Sequence, residues 1–174
     1  RRELSAALRT GIGETLVLLA VHGDALFRSH TGLHVSAEAG RVVVELLTPL
    51  TQRVLEAQEG ELPVYAEAAP DEFLKIVEAD LKGAEPATLS LMRPVDPGLF
   101  WGSPTRTGLL WALETLAWNP TYLARCSLIL AKLSEVPIPD NWSNKPINSL
   151  LAIYKSWIPQ TAATVEQRIK SVGL

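Results

Sequence analysis

All three histidines of this 174-residue chain fall close together, at His22, His30 and His34, with Asp24 among them. Imidazole nitrogens and a carboxylate are the ligands that a zinc ion accepts at ~2 Å, so this is the one candidate metal or catalytic group. His30 and His34 are four residues apart, a spacing that places two side chains on one helical face. Thr31 and Gly32 stand between them and disfavour continuous helix, so loop-exposed histidines are the simpler reading. A small enzyme or metal-binding domain built on these four residues is the first alternative.

Other reactive side chains have plainer explanations. Cys126 lies on an apolar stripe, where a thiol behaves as a small hydrophobe. Its neighbour Arg125 points about 100° away on a helix and does not activate it. Asp71 and Glu72 favour the positive end of a helix dipole. Ser103, Ser143 and Ser149 have no histidine in their stretch of sequence. The phosphate-loop pattern is absent, and Gly11-Ile12-Gly13 lacks the third glycine and preceding strand of a dinucleotide site. No kinase, zincin or nucleophile-elbow signature occurs. No catalytic residue and no cofactor are expected.

The elements that would position such groups are helices. Leu123, Cys126, Leu130 and Leu133, widened by Ile129, recur at spacings of three and four. Asn119 can cap this helix, and Pro120 fits its first position; Pro137 and Pro139 end it near Val136. The helix before it carries Leu109, Leu113, Leu116 and Ala117, and the junction Trp118-Asn119-Pro120 makes a helical hairpin. Leu62 to Ala68, a break at Ala69-Pro70, and a stripe of Phe73, Ile76, Val77 and Leu81 repeat that grammar. Trp157-Ile158-Pro159, with Thr161 as cap and Val165, Ile169 and Val172 as stripe, is a weaker third copy. The spacing of Pro70, Pro120 and Pro159 is near the ~40–47 residues of HEAT or armadillo units.

Elsewhere the pattern is less regular. Arg1 to Leu8 and Glu14 to Phe27 read as helix, interrupted over Thr10 to Gly13. Ser36 can cap a helix that runs through Val42-Val43-Val44; its flanks override the β-branching. Four of the 12 prolines lie between Glu85 and Thr107, and a second irregular segment spans Pro137 to Pro146. The first is an ordered crossover, because Leu89, Leu91, Met92, Leu99, Phe100 and Trp101 need burial. Asn144 can cap a helix entered at Pro146, with Ile147, Leu150, Leu151 and Tyr154 as its buried face.

Composition narrows the classes further. Hydrophobic residues make up 47%, charged residues 20%, and the net charge is −3, which excludes a disordered acidic tail and a strongly basic nucleic-acid binder. A single cysteine excludes an internal disulfide framework and a multi-cysteine zinc site. The longest early apolar run, Leu16 to Val21, is short of the ~20 residues of a membrane span. A cytoplasmic location without membrane contact is expected. A first residue of Arg rather than Met suggests a piece of a longer chain. Nine carboxylates between Glu56 and Glu85 face only Lys75 and Lys82, as the solvated faces of two helices. All five tryptophans lie after residue 100. Trp101, Trp142, Trp157 and neighbouring Lys145 are candidate interaction residues.

The segments Leu116-Ala117-Trp118-Asn119-Pro120-Thr121-Tyr122-Leu123, Leu130-Ala131-Lys132-Leu133, Asn144-Lys145-Pro146-Ile147-Asn148-Ser149-Leu150 and Trp157-Ile158-Pro159-Gln160-Thr161 carry a resemblance. They are similar to a helical stretch in very large, mostly uncharacterised bacterial proteins, some resembling STAND-type NTPases of phage defence. It covers about the last 60 residues, with a looser match over Leu62 to Leu81. The resemblance implies a helical array beside an NTPase core that senses a partner or transmits its binding. This chain has no Walker motif, so the nucleotide site would lie elsewhere in the parent protein.

The expectation is an all-α fold of about 8–10 helices over residues 1–174, stacked as HEAT- or armadillo-like hairpins or as an irregular bundle. A sub-boundary is placed in the crossover 86–105. The expected role is a non-catalytic scaffold or sensor segment contacting a protein partner or neighbouring domains. A second alternative is a nucleic-acid-binding array using Arg125, Lys132, Lys145, Lys155, Arg168 and Lys170.

Overall fold

The computed structural model describes residues 5–32, 34–95 and 104–173. Among them are ten α-helices and no strand: α1 (Ala6–Thr31), α2 (Val35–Leu47), α3 (Gln52–Ala57), α4 (Leu62–Ala68), α5 (Pro70–Leu81), α6 (Ala87–Ser90), α7 (Thr107–Ala117), α8 (Pro120–Ser134), α9 (Pro146–Tyr154) and α10 (Val165–Val172). A 3-10 turn over Glu59–Glu61 leads into α4. The fold class is all-α, and Val42-Val43-Val44 is helical within α2.

The long helices associate in consecutive pairs: α1 with α2, α4 with α5, α7 with α8, α8 with both α9 and α10. Each pair rests on the next, α1 on α4 and α2 on α5, then α4 on α7 and α5 on α8, then α7 on α9. Their shared core holds Leu62, Phe73, Leu74, Leu109, Leu113, Leu123, Cys126 and Leu130, all essentially inaccessible to solvent. Asn119 caps α8 as its sequence requires, its Oδ1 accepting from Thr121 N at 3.0 Å, with Pro120 in the first turn.

Several local expectations are corrected. α1 runs unbroken through Gly11, Gly13 and Gly23. Two of these glycines are sites of close helix packing, where a Cβ would lie 2.9 Å from Val64 Cγ1 at Gly13 and 2.5 Å from Val35 Cγ1 at Gly23. Within α1, Ala7–Phe27 is long and apolar enough to cross a membrane, by length and composition alone, where the short Leu16–Val21 run had suggested none. Here that helix lies against α2 and α4, with Arg9 Nε 2.7 Å from Glu61 Oε1.

Ser36 does not cap α2; His34 holds the cap position without a side-chain bond. Lys145 rather than Asn144 precedes α9, because Asn144 turns its amide to Thr107 Oγ1 at 3.2 Å. Ile147 and Leu151 are exposed, and Pro146, Ser149 and Ile153 form the buried face of α9. Pro159 opens no helix. Thr161 Oγ1 donates to Ala117 O at 2.7 Å, and α10 starts instead at a Thr164–Gln167 capping box.

The crossover packs down where it is described. Asp80 caps α6, accepting from Ala87 N and Thr88 N, both at 2.9 Å, and Leu91 and Met92 are buried. Leu99, Phe100 and Trp101 lie outside the described residues.

Candidate interaction surface

The histidine group does not assemble into a site among the described residues, where no three His, Cys, Asp or Glu side chains could hold a metal ion. His22 is exposed on α1 and His34 is exposed at the start of α2. The His30 side chain lies outside the described residues. Asp24 plays a structural part, with its Oδ1 accepting from Ser36 N at 3.1 Å and its Oδ2 from Ser36 Oγ at 2.7 Å. It therefore caps α2 from the neighbouring helix, and those hydrogen bonds hold its carboxyl below the usual range.

Cys126 is buried in the core, and burial pushes its thiol up to about 12. That setting suppresses the thiolate that nucleophilic chemistry needs. Arg125 and Lys132, two of the cations expected to contact nucleic acid, are engaged by carboxylates. Arg125 forms a fork with Glu78 at 2.7 and 3.0 Å and reaches Asp71 at 2.9 Å, tying α8 to α5. Lys132 bonds Glu135 at 2.6 Å. The acidic stretch is thus partly an internal counterpart: Glu61, Asp71, Glu78 and Asp80 all hold neighbouring elements.

Among the described residues the most deeply buried charge is Arg106, which sequence reasoning passed over. It sits one residue before α7, fully buried, and binds two other stretches of chain, the crossover at Arg93 and the irregular segment at Asp140 and Asn144. Its Nη1 donates to Arg93 O at 2.8 Å, its Nε to Asn144 O, and its Nη2 to Asp140 Oδ2 at 2.8 Å. Asp140 also accepts from Val95 N and Trp142 N. Burial raises the Asp140 carboxyl, but these hydrogen bonds and the Arg106 charge outweigh it and hold it below the usual range. Lys145 donates to Asp140 O at 2.6 Å. Two candidate interaction residues, Trp142 and Lys145, therefore belong to a hub that orders irregular backbone. Only a buried polar pair could have betrayed it in the sequence, and one arginine and one aspartate in loops give no periodic signal.

The tryptophans are surface residues rather than core: Trp111, Trp118, Trp142 and Trp157 are all substantially exposed. On α7 the core takes Leu109, Leu110, Leu113 and Leu116, which leaves Trp111 and Trp118, one heptad apart, for the opposite side. Trp101 lies outside the described residues.

Among the described tryptophans Trp157 is the most exposed, at 76%, and it borders a trough of about 800 Å³ between α8, α9 and α10. Leu128, Ala131, Leu151 and Val172 form its apolar walls. Its floor is a chain of hydroxyls: Ser127 Oγ lies 2.8 Å from Tyr154 OH, which lies 2.7 Å from Ser171 Oγ. Tyr154 thus fastens α10 to α8 through polar contacts. The consequence is an inverted helix: Ser171 is the buried residue of α10, whereas Val165, Ile169 and Val172 face outward, 55–68% exposed. This stripe continues the trough into a second hollow lined by Val165, Ile169 and Arg168.

A second apolar trough, about 660 Å³, lies at the opposite end of the stack. Leu8, Ile12, Leu16 and Leu19 of α1 face Val42 and Leu46 of α2 across it. On α1, apolar side chains run right round the helix: Leu18, Val21 and Leu26 are also about 60% exposed. A helix apolar on all sides is normally covered on all sides. No known protein family, curated protein or solved structure matches this chain.

Proposed function

We propose that the chain is a non-catalytic helical scaffold or sensor segment that makes protein–protein or interdomain contacts within a larger bacterial protein. The observation that carries this reading is that both ends of the helical stack turn apolar side chains outward, on α1 and on α10. Stacked helical arrays need polar outer faces on their terminal units, and exposed apolar patches of this size mark contact surfaces. Both ends therefore accept a neighbour. A HEAT-like array is the architecture that fits the stacking of successive pairs, and the resemblance of residues 116–161 supports a setting beside an NTPase core. The absence of a Walker motif leaves nucleotide chemistry to another part of that protein.

The test is photo-crosslinking in the cell, with a crosslinking residue at Leu18 or at Ile169. A single defined neighbour at each position, released by a glutamate on the same face, is the expected result. Crosslinks to no protein, or substrate turnover by the isolated chain that depends on His22 and His34, would overturn the reading.

A further inference from the structure

The two apolar troughs differ in charge. The α1–α2 trough carries Arg9 paired with Glu61, so its rim offers no net sign. The α8–α9–α10 surface is different: Lys155 and Arg168 line its two hollows, and neither hollow has a carboxylate in its lining. Arg168 lines the α10 hollow and donates one N–H to Lys155 O at 3.0 Å. Among anionic side chains, a carboxylate makes the strong charge-assisted hydrogen bonds with guanidinium and ammonium groups.

Exposure and shape add to the charge. Leu128, Leu151, Trp157, Val165, Ile169 and Val172, which line the two hollows, are each 55–76% exposed. Val165, Ile169 and Val172 are spaced i, i+4 and i+7, the register that meets the apolar seam of another helix. From these observations we infer that the α8–α9–α10 surface docks an amphipathic helix whose apolar stripe is flanked by carboxylates. Its stripe lies along α10 and enters the trough beside Trp157, and its acidic flank meets Lys155 and Arg168.

This inference rests on the docking role of the same face, and one titration separates the two. Two stapled 14-residue helices with identical leucine stripes, one flanked by glutamates and one by lysines, are titrated calorimetrically into the 174-residue chain. Trp157 fluorescence reports the site, with Trp157→Phe as control. The glutamate helix should bind at least tenfold more tightly at low ionic strength, with the gap narrowing as salt rises. Ile169→Glu should abolish binding, and Lys155→Glu should remove the preference; both residues are exposed, so neither change threatens the fold. Equal binding of the two helices would overturn the acidic partner and keep the docking surface. Failure of both to bind would overturn both. Self-association of the chain that Ile169→Glu abolishes would make a second copy the occupant and overturn the inference.

Discussion

Arg106 and Asp140 form an almost completely buried ion pair, Nη2 to Oδ2 at 2.8 Å, between the residue that precedes α7 and the irregular segment before α9. A buried charge left without its partner typically costs about 3–5 kcal/mol. Arg106→Ala should therefore lower the urea midpoint severely, and Asp140→Asn somewhat less, because the amide still accepts hydrogen bonds. A midpoint unchanged in both would show that the hub does not hold the crossover.

The same pair sets an acid limit. Asp140 has a folded-state pKa below its unfolded value of ~3.9, so its contribution is complete above that pH. The contribution is lost as pH falls through the lower folded value. Stability should thus decline more steeply below about pH 4 in the parent chain than in Asp140→Asn. Parallel acid profiles would contradict this.

Gly108 allows α7 to lie against the 3-10 turn: a Cβ there would sit 1.8 Å from Glu59 O. Backbone cannot yield as a side-chain tip does, so Gly108→Ala should cost about 1–3 kcal/mol despite the better helix propensity of alanine. Thermal unfolding measures it, and a stabilised variant would contradict the packing.

Cys126 should resist thiol reagents in the native state, since burial raises its thiol to about 12. Modification should follow global unfolding, with a rate that tracks denaturant concentration. Rapid labelling of the folded chain would place the thiol outside the core.

Asp24→Ala should loosen the start of α2, because the Ser36 amide and hydroxyl both lose their acceptor. Hydrogen exchange at Ser36 should accelerate while exchange in α8 stays constant. If zinc addition instead protects this region and His30→Ala abolishes that effect, the histidine group is a metal site.

The helical class was legible because the stripes of α5 and α8 are long and strictly periodic. So was the Asn119-Pro120 start, whose cap depends on residues adjacent in sequence. What escaped was set by contacts between distant residues. Asp24 caps a helix twelve residues away, Thr161 bonds the end of α7, and Arg106 joins the crossover to the segment before α9. The α10 stripe was visible as amphipathicity, but periodicity marks only which face is apolar. It does not say whether that face turns to the core or, as here, away from it.

The docking role of α10 is tested most directly by the accessibility of Ile169. With Cys126 buried, Ile169→Cys offers the one reactive thiol, and Lys75→Cys on the exposed side of α5 is the control. The account predicts rapid maleimide labelling of Ile169→Cys in the isolated chain and at least tenfold slower labelling in its native assembly, with the control unchanged. Equal labelling rates in the two states would contradict it.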